Sequence, residues 1–383
     1  MFTRILQLLQ KNKWKKIIFL SICIGLMSAY PIYRNFYYGR AILQYERHVQ
    51  FMNVQSRFHN PWQYRILTPL MVEGLKTLYD NTIDKIYPIG EKLKIKLPEG
   101  ADPKDSTKEL LALANNPDFI KYTMIYSGVR FTQNVIIFFL SYILLTYFIR
   151  SNWLIFLGLI FISLALGNSV NDSDFTLHTY LDDILYLITG ILILYKKNPW
   201  YIVPITIIGA LNRETALLIP FLYIISVVDW QKWIDTKFGL RQLPWPTVQQ
   251  IAIVATSLIF FVVIFISIRW YYGYQPQTQW KVPAGLPMLK LNLVSLLAVK
   301  SYFEMVGVFS IIPLICLYKF KSASKILQIW FIGIVPIWFL VHFVSVVAYQ
   351  GRLFLVPTLL IFIPMILELI EKEYRPQLSI KNN

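Results

Sequence analysis

Charge is scarce in this chain. Of its 383 residues, 15% are Asp, Glu, Lys or Arg, against about 25% in an ordinary soluble domain. With 56% hydrophobic residues, that scarcity excludes a conventional water-soluble globule. Cysteine is nearly absent too. Cys23 and Cys316 each sit inside an apolar run, which excludes a disulfide framework and any cysteine-rich zinc site. No P-loop, GxSxG, HExxH or CxxC pattern occurs, and no internal repeat is visible, so the common phosphate, hydrolase and metalloprotease signatures are missing. Acidic residues are the scarcer sign, 21 against 37 basic ones, giving a net charge of +16.

What is present is apolar sequence in long runs: residues 16–34, 124–149, 153–167, 181–195, 200–211, 215–228, 250–271, 300–318, 326–348 and 353–370. They predict an all-α polytopic membrane protein with about ten transmembrane helices. The basic residues cluster beside these runs, as cytoplasmic anchors do, so the positive balance points to a membrane and not to nucleic acid. The basic start MFTRILQLLQKNKWKK leads into the first run, and PIYRNFYYGR follows with no small-residue cleavage site. This predicts an uncleaved first span. With ten spans and both termini cytoplasmic, the clusters at residues 232–241, 319–325 and 372–381 all fall on the cytoplasmic side of a plasma (inner) membrane.

That arrangement requires a break in the stretch GALNRETALLIP, where Arg213 and Glu214 interrupt apolar sequence. A continuous helix through residues 200–228 would move every later basic cluster to the outer side. Two short arms meeting at Asn212 keep the charge bias intact, and they leave polar backbone at a depth tolerated only against protein or a wet cavity.

Polar side chains then gather on the outer side from four segments. Asp172 and Asp174 form an Asp-x-Asp, which either holds a hard divalent cation such as Mg²⁺ or Mn²⁺ or makes a solvated turn. Asp182 and Asp183 sit where the fourth span begins, as direct participants or as acids favoured by the helix dipole. His178 is a candidate ligand or base. Arg213 is a candidate phosphate contact, with Glu214 expected to hold it in place. Arg352 either contacts phosphate or snorkels as an interfacial anchor. Arg65 is a candidate substrate or phosphate contact, or else a solvated charge in an amphipathic stretch, residues 62–79, that could rest on the membrane with Trp62, Ile66, Leu67, Leu70 and Leu75.

Residues 35–123 form a long outer loop, expected to carry amphipathic helices; Ser106 and Glu109 fit a capping box within it. Residues 272–298 form a second outer loop. The chain is read as a single transmembrane domain, 1–383.

The chain resembles GT-C type membrane glycosyltransferases, or uncharacterised bacterial membrane families of the same layout. The residues that carry the resemblance are the long loop after span one, the Asp-x-Asp between spans three and four, YLDDILYLITGILILYKKNPW running on to GALNRETALLIP, and Arg352 in GRLFLVPTLLIFIP. The resemblance implies transfer of a sugar from a polyprenyl-phosphate carrier to a glycan, lipid or protein acceptor on the extracytoplasmic face. Such enzymes usually carry an acidic pair soon after span one. Here the segment is PIYRNFYYGRAILQYERH, and Glu46 is its only carboxylate, which makes Glu46 the candidate catalytic acid beside Asp172 and Asp174. Two other readings stay open: a transporter or flippase for an anionic lipid or sugar, and a non-catalytic scaffold or partner subunit.

Overall fold

The computed structural model describes residues 13–38, 40–56, 59–92, 115–171, 175–230, 245–279 and 281–380. Asp172, Asp174, Ser106 and Glu109 lie outside the described residues, as does the basic cluster at residues 232–241.

All ten apolar runs are helical along most of their length. The main helices are α1 (Lys13–Tyr37), α2 (Arg40–Met52), α3 (Leu67–Asn81), α4 (Pro117–Phe148), α5 (Asn152–Ser169), α6 (His178–Leu194), α7 (Ile202–Asn212) and α8 (Leu218–Val227). They continue with α9 (Val248–Tyr272), α10 (Leu286–Val294), α11 (Leu296–Phe309), α12 (Ile312–Tyr318), α13 (Lys325–Ser345) and α14 (Ile363–Ile380). The only strand pairing among the described residues is a two-residue antiparallel hairpin, Thr278–Gln279 with Val282–Pro283. Among the described residues, five helices are by themselves long and apolar enough to cross a membrane: α4, α5, α9, α13 and the continuous stretch Gly351–Tyr374. A sixth arises if α10 and α11, bent by 73°, make one span. The protein is therefore all-α and built to be embedded in a membrane.

Local sequence explains where the long helices start. Asn116 caps α4, its side chain accepting from the amides of Asp118 and Phe119, and Pro117 occupies the first turn, where no amide hydrogen is needed. Thr247 and Gln250 form a reciprocal capping box at the start of α9. Packing decides the rest. The stretch Gly351–Tyr374 is the central post, with 89% of its most apolar window buried in protein, against 22% for α9 at the periphery. Lipid tails offer no hydrophobic gain over a protein neighbour, so close side-chain packing around this post holds the bundle.

The break at Asn212 is present. α7 ends there, Arg213 is extended (φ −157°, ψ 153°), and a 3₁₀ turn, Glu214–Leu217, leads into α8. Gly209 and Ala216 come into contact across the turn: a Cβ built on Gly209 would lie 2.5 Å from that of Ala216. A continuous helix would separate positions seven apart by about 10 Å. The chain therefore folds back, which places the tip of a helical hairpin inside the protein.

Candidate functional site

The hairpin tip opens into a cavity of about 450 Å³. Its walls come from five parts of the chain. The tip supplies Arg213, Glu214 and Thr215, and the start of α6 supplies His178 and Thr179. The end of α13 and the turn after it supply His342, Ser345, Tyr349 and Arg352. The first loop supplies Arg40, Arg47, Trp62 and Arg65, and Gln277 comes from the hairpin after α9. Five arginines face one carboxylate, Glu214, among the described lining residues.

Each charge has a structural origin. Arg213 and Asp182 are both buried and stand 3.3 Å apart. Asp182 lies one helical turn after His178 on α6, so it points back at the tip, where the Thr215 hydroxyl also donates to it. Asn212 ties the tip to α6 by donating to the His178 carbonyl at 2.7 Å. Glu214 accepts from Arg65 at 3.0 Å and from Arg269 of α9 at 3.2 Å. The expectation that Glu214 holds Arg213 is thus corrected. The extended residue between α7 and the 3₁₀ turn sends the two side chains apart, and Asp182 takes the role.

Arg352 donates to the Thr176 hydroxyl and, at 3.0 Å, to Gln350. It is 3% exposed, a buried member of the wall, so the interfacial-anchor reading is corrected. Arg65 is also drawn inward to Glu214. Trp62, expected on the membrane surface, lines the cavity instead. The Arg47, Arg352 and Arg65 guanidinium carbons lie 4.7, 5.6 and 5.7 Å from its ring centre, and His178 meets it edge-on at 5.0 Å. Cations on an indole face are favourable when shielded from water. Leu70 and Leu75 are exposed, as the amphipathic reading requires.

The first loop is clamped over the site. Tyr64 donates to the Gly273 carbonyl and accepts from the Gln275 amide, and Asn60 donates to the Gln275 carbonyl. Behind it, His48 is buried between Glu73 (2.6 Å) and the Tyr126 hydroxyl (2.8 Å). Burial pushes the His48 imidazole below its ordinary pKa despite Glu73. Burial also acts to raise the Glu73 carboxyl, but hydrogen bonds to Tyr122 and His48 outweigh it and hold the group below its usual range.

Of the residues singled out from sequence, Arg65, His178, Arg213, Glu214 and Arg352 line one cavity, and Asp182 supports it from behind. Asp183 is fully buried beside Asp182 but does not reach the cavity, and neither carboxylate oxygen has a hydrogen-bond partner. Glu46 is exposed on α2, whose buried face carries Gln44 and His48, and it does not line the cavity. The site as found does not include it. Asp172 and Asp174 lie outside the described residues, yet the residues flanking them are held by arginines of the wall. Arg40 donates to the Asn171 carbonyl and Arg352 to Thr176. Among the described residues no group of three His, Cys, Asp or Glu side chains could hold a metal ion.

Sequence reasoning missed Arg40, Arg47 and Arg130. The last is buried under Tyr180 and donates to the Thr176 carbonyl. Arg130 did carry a signal, a charge set two turns or more beyond Asp118 and Lys121, inside the part of α4 that continues as an apolar span. Comparison with protein-family models, curated proteins and solved structures returned no match, so the site is interpreted from its own chemistry.

Proposed function

We propose that this protein is a membrane glycosyltransferase of GT-C type, moving a sugar from a polyprenyl-phosphate carrier to a glycan, lipid or protein acceptor on the extracytoplasmic face. One observation carries the reading: among the described residues, five arginines and a single carboxylate line a cavity at the tip of the helical hairpin. Such a concentration of guanidinium in apolar surroundings suits a phosphate group. In the reaction an acceptor hydroxyl oxygen bonds to the anomeric carbon. The bond from that carbon to the phosphate oxygen breaks, its electron pair stays on the phosphate, and Arg65, Arg213 and Arg352 stabilise the added charge. We assign the hydroxyl proton to the Asp172 and Asp174 pair, whose flanking residues are tied to the wall, and not to Glu46. Ten spans, both termini cytoplasmic and a plasma-membrane location belong to the same proposal.

A Mg²⁺ or Mn²⁺ ion on Asp172 and Asp174 is part of the proposal for those two residues alone. The described lining does not fit a divalent cation, because Glu214 is engaged by two arginines, and no step is derived through one.

The test is transfer of a labelled sugar from a polyprenyl-phosphate glycoside in proteoliposomes. Arg213→Gln, Arg352→Gln and Asp172→Asn are each expected to lower it by two orders of magnitude or more, roughly the loss of one transition-state contact. Transfer that survives all three overturns the assignment of this cavity as the active site, and a wild type that transfers no sugar ends the enzyme reading. A second reading has its own observation: the one described carboxylate at the cavity is tied up by Arg65 and Arg269, which suits binding or translocation without chemistry. Phosphate binding with no transfer to any acceptor would select that scaffold or flippase role.

A further inference from the structure

We propose a second binding site at the end of the bundle opposite the arginine cavity: a cleft between α6, α7 and α8 that takes an acyl chain of an anionic phospholipid and sets its phosphate against Lys196 and Lys197. The three helices connect the two sites. α6 and α8 begin at the arginine cavity, with His178 and Leu218 in its wall, and α7 ends beside it at Asn212. Their other ends enclose the cleft, whose volume is about 250 Å³. α6, 17 residues long, sets the two sites roughly 25 Å apart at about 1.5 Å per residue, so one headgroup cannot serve both. Tyr195, Trp200 and Tyr201 beside the cleft are exposed, and exposed aromatics on a membrane protein mark the level of the lipid headgroups.

The floor of the cleft is apolar, built by Leu192, Ile193, Ile202 and Val227. Tyr223 of α8 also lines it and is 5% exposed, yet its hydroxyl makes no hydrogen bond to a described residue. Buried hydroxyls are normally satisfied, and an ester or phosphate oxygen of a lipid is an acceptor for this one. The lysines at the rim are held at a backbone cost. α6 closes with the Lys196 amide donating to the Ile193 carbonyl at 3.2 Å and the Lys197 amide to the Leu192 carbonyl at 2.9 Å. That closure puts Lys196 at φ +49°, a left-handed position that usually goes to glycine. Strain of this kind gathers at ligand clamps, and here it brings a second cation to the rim. Both lysines border the cleft and are exposed, and no described carboxylate pairs with either. The chain's own residues 231–244 carry Lys232, Lys237 and Arg241 against Asp235, the wrong sign to cover this rim. A neutral lipid would fill the floor and leave the lysines unpaired. An anionic phospholipid matches floor and rim together.

The probes are dioleoylphosphatidylglycerol and dioleoylphosphatidylcholine, which share their chains and differ in net charge. They are titrated into the detergent-purified full chain, and bound lipid is counted by native mass spectrometry. The wild type should bind the anionic lipid about ten-fold more tightly, the scale set by two lysines beside a lipid phosphate. Lys196→Gln with Lys197→Gln should bring the two lipids to within about two-fold of each other. Ile193→Trp and Val227→Trp, made separately at half-buried positions, should each fill the cleft and weaken both lipids by about five-fold. Thermal unfolding checks that each variant is folded. Absence of a preference in the wild type overturns the site, and so does a preference that survives the lysine changes. Binding unchanged in a folded tryptophan variant overturns the cleft and leaves only attraction to a basic surface. Inorganic phosphate, titrated in parallel, reads the arginine cavity: its failure to bind counts against the proposed function and leaves this second site standing.

Discussion

Two of the breaks between apolar helices are treated differently. At Val294 to Leu296 the two arms bend by 73°. Ser295 caps the second arm by accepting from the Leu297 amide. Asn292 stitches the first arm to the end of α13, donating to the Phe343 and Val346 carbonyls and accepting from the Ala348 amide. Every polar side-chain atom there has a partner. At Asn212 to Glu214 the tip holds an ion pair and two further arginine contacts, yet Asn212 Oδ1, Arg213 Nε and the neighbouring His178 Nε2 are buried without one. Buried polar groups in apolar surroundings are normally satisfied. A fully stitched break is a joint. An incompletely stitched break beside a cationic cavity leaves polar atoms for a ligand.

The comparison can be broken by mutation. The largest effect is expected from Asp182→Ala, which leaves Arg213 buried without its counter-charge and should destabilise the fold by about 3–5 kcal/mol. Thermal unfolding in detergent measures it, and a loss no larger than that of Asn292→Ala would erase the distinction. Asn292→Ala removes three hydrogen bonds to buried backbone and should cost about 1–3 kcal/mol, with phosphate binding unchanged. Loss of binding there would make the second break part of the site. Gly209→Ala sets a methyl against Ala216 and should cost about 1–3 kcal/mol. Gly307→Ala, in α11 with open space at its Cβ position, should stay within about 1 kcal/mol of wild type or stabilise.

The smallest effect concerns pH at the loop that closes the first break. His48 and Glu73 are both shifted down, so both contribute stability at neutral pH. The histidine share is lost as pH falls below its ordinary value of 6.5, and the glutamate share as pH falls below 4.5 and through the depressed value. Hydrogen exchange in residues 40–81 should quicken on acidification by the equivalent of under about 1 kcal/mol. Glu73→Gln should flatten the lower part of that profile.

The hairpin tip was legible because two charges in a run of aliphatic residues have few physical explanations. The gathering of Arg65, Arg213 and Arg352 around one cavity was legible as an expectation, because the charge bias assigned their segments to a common side. Their partners were not. Whether Arg213 meets Glu214 or Asp182 depends on one extended residue and on the face of α6 that turns inward, and neither leaves a mark in composition. Arg40 and Arg47 sit in a loop already rich in basic residues, where one more charge carries no contrast. The second break was hidden for the opposite reason: α10 begins inside a segment read as loop, and Asn292 looks like any polar loop residue until α13 is placed beside it.

The buried central post has a consequence for biogenesis. Gly351–Tyr374 follows all the other long helices in sequence, so they leave the ribosome and enter the bilayer before the element they surround exists. They must wait as a loosely associated set with a vacant centre. Arg352, at the leading edge of that post, arrives with it. Consolidation of the interior and completion of the cationic wall are therefore one event, and a chain halted before Gly351 would have neither.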